Sequence, residues 1–96
     1  MTIALSQLHE ATLDEDTIDA LFADLATRTE VDQVLVKGGS MANAGTAPSL
    51  SDARSALVSG AALGVQIRYR WQERWWIDTL MRTPVGIRIV RTAVPG

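Results

Sequence analysis

The last third of the chain carries the strongest constraint on what it can become. Val65-Gln66-Ile67-Arg68-Tyr69-Arg70-Trp71 alternates apolar and polar residues without a break, the period-two signature of a strand with one buried face. Trp75 to Arg82 and Ile87 to Arg91 follow in the same style, separated only by Gln72-Glu73-Arg74 and by Thr83-Pro84-Val85-Gly86. Connections this short join antiparallel neighbours, because a parallel crossover needs a dozen or more residues. Proline at the second turn position and a glycine after it suit a bulged hairpin turn. The C-terminal third therefore reads as a three-stranded meander, one face of which has to be covered.

Two helices supply the cover. Ile18, Leu21, Phe22 and Leu25 recur at helical spacing in one stripe. Thr12 and Glu15 have the spacing of a capping box, and Asp14, Glu15 and Asp16 crowd the first turn, where the helix dipole favours negative charge. A helix over about 13–28 follows. A second and shorter one starts from Ser49 or Ser51, presents Leu50, Ala53, Leu57 and Val58, and ends near Ser59 at Gly60 or Gly64. Between the helices Val34-Leu35-Val36 reads as a buried strand running to Lys37, and Gly38 to Pro48 as a loop. Ile3 to Leu8 suits an edge strand. The expected fold is one α+β domain of 96 residues, ordered β-α-β-α-β-β-β, with two helices packed on one face of an antiparallel sheet.

Loop length sets which meander residues share a face. A three-residue loop at 72–74 and a bulged turn at 84–86 put Val65, Ile67, Tyr69, Trp71, Trp75, Ile77, Met81, Ile87 and Ile89 on a core face. The opposite face then carries Arg68, Arg70, Trp76, Asp78, Leu80, Arg82, Arg88 and Val90, with Arg68 opposite Asp78 and Arg70 opposite Trp76. Tryptophan and arginine are the side chains enriched where proteins bind one another, so these eight residues are the candidate interaction face. A one-residue slip at the first hairpin would carry Trp76 and Asp78 to the core side.

Charge is polarised along the chain. Residues 1–33 hold eight acids and one base (net −7), and residues 34–96 hold eight bases and three acids (net +5), so the net charge of −2 hides two opposed segments. Such halves either neutralise one another inside the fold or mark surfaces for charged partners. There is no cysteine and one histidine, His9, which leaves no thiolate nucleophile and no paired spacing for a zinc site. Lys37-Gly38-Gly39-Ser40 follows a strand, and is the weak candidate for a small ligand, although it matches neither phosphate-loop pattern. The five serines between positions 40 and 59 have no neighbouring histidine. No catalytic residue, metal or cofactor is therefore assigned, and an enzymatic role is not the expectation. No apolar run approaches the length of a membrane span, and the start lacks the basic residues of a signal peptide. A cytoplasmic protein is expected.

Trp75-Trp76-Ile77-Asp78-Thr79-Leu80-Met81, Thr83-Pro84, Gly86 and Arg88-Ile89-Val90-Arg91 resemble a family of small bacterial proteins with no assigned function, mainly over Gly64–Arg91. That resemblance implies a bacterial origin and transfers no site residue. The leading expectation is a non-catalytic interaction module that binds a protein partner or a second copy as a homodimer. Single-stranded nucleic acid on the same face is the alternative, and a small-molecule or enzymatic role near Gly38-Gly39 the third.

Overall fold

The structure, a computed structural model, describes residues 10–38 and 48–94. Its elements are β1 (Glu10–Leu13), α1 (Glu15–Arg28), β2 (Glu30–Lys37), α2 (Leu50–Ser59), β3 (Gly64–Trp71), β4 (Arg74–Thr83) and β5 (Gly86–Ala93). The five strands form one sheet in the order β1-β5-β4-β3-β2, with every neighbouring pair antiparallel. The α+β class, the element order and the C-terminal meander are as expected. His9, Gly39, Ser40 and the strand expected at 3–8 lie outside the described residues, and β1 forms after that segment, at Glu10–Leu13.

Strands β1 and β2 are the two edges of the sheet, and α1 joins them. The helix must therefore cross the full width of one face. Fourteen helical residues span about 21 Å, close to the ~19 Å across five strands. Its cap is Asp14 rather than Thr12, which is still part of β1: the Asp14 carboxylate accepts the Thr17 amide at 2.8 Å. The Ile18, Leu21, Phe22 and Leu25 stripe is buried as its spacing requires. Each of these side chains contributes about 1.5–3 kcal/mol on burial, so Leu21→Ala alone would loosen the helix from the sheet. Ser49 caps α2 in a full capping box with Asp52, and the helix ends at Gly60, whose φ of 85° only glycine adopts without cost. Arg54 of α2 reaches Asp19 of α1 at 2.5 Å, so part of the opposed charge is neutralised between the two helices.

Strand β2 departs from the buried strand expected of Val34-Leu35-Val36. It is an edge strand whose pattern is half-exposed, with a bulge between Val31 and Gln33. Val34 and Val36 pack against the core and Leu35 faces outward. Three β-branched or aliphatic residues in a row fit an edge as well as a centre, because composition does not reveal how many neighbours a strand has.

The largest departure concerns β4. Two residues, not three, make the β3–β4 turn: Trp71 pairs with Arg74, and Gln72 and Glu73 both have positive φ, 53° and 62°. That is the dihedral pattern of a type I′ hairpin, which suits the twist of the flanking strands. The β4–β5 turn is also one residue shorter than expected, with Thr83 paired to Gly86 across Pro84-Val85. Strands β3 and β5 keep their expected faces, and β4 alone is inverted between them. Leu80 and Asp78 are thereby fully buried under the helices, while Trp75, Ile77 and Met81 turn to the other side of the sheet.

Candidate functional site

The inversion of β4 divides the expected interaction face in two. Arg68, Arg70, Arg88 and Val90 remain together on the face away from the helices. Trp76, Asp78, Leu80 and Arg82 do not join them, since they lie on the helix side of β4. Arg68 pairs with Ile77 instead of Asp78, and Arg70 with Trp75 instead of Trp76. Each misplaced residue has an identifiable structural task.

Asp78, on the central strand, is 0% exposed and is held by two neighbours. Arg91 donates from Nε to Oδ1 at 2.7 Å and from Nη2 to Oδ2 at 2.5 Å, and the Tyr69 hydroxyl donates to Oδ1 at 3.0 Å. Arg91 stands directly opposite Asp78 across β4 and β5, so the register itself brings the two charges together. Its guanidinium also lies 5.8 Å from the centroid of the Tyr69 ring. Burial disfavours the Arg91 cation, but the hydrogen bond and charge of Asp78 outweigh it and hold its pKa above the ordinary value. Burial, and then the Asp78 charge, push the Tyr69 phenol well above its usual range. Arg91 and Tyr69 thus both direct donors at the one carboxylate of Asp78.

Arg82 has a different role. Its guanidinium donates to the carbonyl of Leu57 and, at 2.9 Å, to that of Val58, at the end of α2 where backbone carbonyls have no helical partner. It forms part of the wall of a cleft of about 470 Å³ bounded also by Leu13, Asp14, Ile18, Val85 and Ile87. Of its three charged lining residues, Asp14 is occupied by the α1 cap and Arg82 by α2, and Glu15 is the third. Trp76 packs against the core beside Trp71, with ring centroids 6.4 Å apart and Arg74 over its ring at 5.9 Å. Lys37 ends β2, where its carbonyl accepts the Leu63 amide at 3.0 Å, and Gly38 follows with φ 70°. Among the described residues no three His, Cys, Asp or Glu side chains gather as a metal site.

The face away from the helices is the open surface of the sheet. Along its central strand run Trp75, Ile77, Thr79 and Met81. Gln66, Arg68 and Arg70 flank them on β3, and Arg88, Val90 and Thr92 on β5. Leu35, Gln33, Glu30 and Lys37 extend the face onto β2. Met81 is 44% exposed, and Leu35 and Val90 39% each. Arg68 lies over the Trp75 ring at 5.1 Å and approaches Asp32 to 3.8 Å. No described helix packs on this face. Trp75, Ile77 and Met81 were absent from the expected face because the alternation on β4 fits either side, with Trp75, Ile77 and Met81 apolar at odd positions and Trp76 and Leu80 at even ones, and Leu35 was absent because its strand reads as buried. A signal was present in the single acid of β4, since Asp78 buried beneath helices requires a cation, and Arg91 supplies one only in the shorter register. Comparison of the chain with known protein families, with curated proteins and with solved structures finds no match.

Proposed function

We propose that this protein is a non-catalytic interaction module whose docking surface is the open face of its sheet. The observation that supports this reading is the apolar strip formed by Trp75, Ile77 and Met81 with Leu35 and Val90, ringed by Arg68, Arg70 and Arg88. A sheet in a small domain normally buries one face and solvates the other, so the solvated one carries polar residues. Here it carries a tryptophan, four aliphatic or thioether side chains and a margin of arginines with Glu30 and Lys37, the composition of an interface centre with a charged rim. A second reading, single-stranded nucleic acid, is favoured by one feature: two arginines flank Trp75, a ring on which a base could stack, with Arg68 over it at 5.1 Å and Arg70 paired with it across the strands.

A photo-crosslinking residue placed at Met81 or Val90, and in separate molecules at Asp16 on α1 as a control, tests this in cells that make the protein. Adducts at both sheet positions and none at Asp16 are expected, and mass spectrometry reads what was captured. A foreign polypeptide or the protein's own chain supports the module, and a nucleotide adduct supports the second reading. Absence of adducts at both sheet positions refutes a docking role for this face.

A further inference from the structure

We infer that the open face binds the same face of a second copy, the two sheets being related by a two-fold axis that lies between them and across the strands. This inference rests on the open face being a docking surface, and it names the occupant. Size, charge, the central contacts and the placing of the arginines all favour this arrangement.

The first is size. Five strands at ~4.8 Å spacing and about six residues of each give a face of roughly 24 by 20 Å. Two such faces would bury about 1,000 Å², at the lower limit for a specific interface. A weak, concentration-dependent dimer is the expected species.

The second is charge. Glu30 and Lys37 are at opposite ends of β2, both exposed, and both on the open face by their pairing with Arg70 and Gly64. Seven residues of extended chain hold them about 23 Å apart, too far to interact within one molecule. A two-fold axis across the strands exchanges the ends of the sheet. It brings Glu30 of each copy over Lys37 of the other, two equivalent ion pairs at the rim.

The third is the centre. The same axis, passing between the Ile77 and Thr79 rows, stacks Trp75 of one copy on Met81 of the other and Ile77 on Thr79. Sulfur against an aromatic ring is a favourable contact. The half-exposed residues of β4 thus cover one another.

The fourth is the arginines. They would oppose the pairing if they met, but Arg70 falls over the end of β3 at Gly64, and Arg68 over Gln66. Arg88 falls over the end of β5 that follows Thr92. No arginine of this face lies directly over its counterpart: Arg70 and Arg88 are towards opposite ends of the sheet, and Arg68, in the row beside the axis, is offset by one row from the Arg68 of the other copy.

Sedimentation equilibrium of the full chain from about 1 to 500 µM reads the outcome. The expected result is a reversible dimer that Met81→Glu and Ile77→Asp both weaken, each variant having first been checked for a native circular-dichroism spectrum. Glu30→Lys and Lys37→Glu should each weaken it about tenfold, because the change acts at two symmetry-related contacts, and the double variant Glu30→Lys/Lys37→Glu should restore it. A monomer throughout overturns the second-copy inference. So does a dimer indifferent to Met81→Glu and Ile77→Asp, which would place the contact away from the open face. Failure of the double variant to restore association overturns the stated two-fold geometry. Crosslinking at Met81 separates the two levels: a foreign adduct with a monomeric protein removes this inference and leaves the docking role standing, whereas no adduct removes both.

Discussion

Replacing Asp78 with alanine removes the acceptor on which two buried donors depend. The side chains of Arg91 and Asp78 are 1% and 0% exposed, and a guanidinium stays protonated at any accessible pH. The variant therefore takes from the buried Arg91 cation the carboxylate that holds it at two atoms, and from the Tyr69 hydroxyl its acceptor. Breaking a buried pair in this way costs about 3–5 kcal/mol. For a domain whose whole stability is of order 5–14 kcal/mol, that is from about a fifth of the total to nearly all of it. At roughly 4–5 °C per kcal/mol for a chain near 100 residues, the melting temperature should fall by about 12–25 °C. Were Asp78 on the open face opposite Arg68, the same change would break an exposed pair worth about 1 kcal/mol at most. Thermal melts by circular dichroism, with urea titrations to check that m is unchanged, separate the two cases. A companion variant, Asp78→Leu/Arg91→Met/Tyr69→Phe, removes every member of the group and should recover most of the loss, because an apolar replacement has no desolvation penalty to offset. A drop of only a few degrees in Asp78→Ala, or a triple variant no more stable than the single one, would refute the assignment of a charge-holding role to Asp78.

Three further outcomes test the same structure. Tyr69 is the single tyrosine, and its folded pKa is raised above the unfolded value of about 10 by burial first and the Asp78 charge second. Its contribution to stability is therefore complete below pH ~10 and lost as pH rises further, so phenolate absorbance should appear only together with unfolding; ionisation near pH 10 in a still-folded protein would contradict it. Gln72→Asn with Glu73→Gly places turn formers at two positive-φ positions and should raise stability by about 1–2 kcal/mol, read as a higher melting temperature. No gain would argue against the two-residue turn. Trp76→Ala should cost about 2–3 kcal/mol by denaturant titration and Trp75→Ala less than about 1, since only Trp76 packs on the core; the reverse order would restore the longer-loop register.

The candidate site was partly legible before the fold was known. Arg68, Arg70, Arg88 and Val90 lie on strands whose faces their own alternation determines, because Ile67, Tyr69, Ile87 and Ile89 leave no second choice of core. Trp75, Ile77 and Met81 were not legible, because β4 has apolar residues on both sides and Gln72-Glu73 lacks the Asn-Gly signal of a two-residue turn. The type I′ turn forms despite its residues, and what offsets their strain lies elsewhere: Leu80 buried under the helices and Asp78 joined to Arg91 and Tyr69. Likewise nothing in Thr12-Leu13-Asp14-Glu15 distinguishes two possible caps until β1 pairs with β5 and claims Thr12 for the strand.

Sequence by itself determined the two helices, the strands β2 to β5, the order of elements, the α+β class and the buried stripe of α1, since those follow from periodicity and from residues a few positions apart; it did not place β1 at Glu10–Leu13. Tertiary structure alone decided the order of the strands, the edge position of β2 and the face that each β4 residue takes. The physical reason is that a strand's alternation states that its two sides differ without stating which is inside. That choice is made by the pairing of Asp78 with Arg91, thirteen residues away in the chain, and by helices that cover only one side.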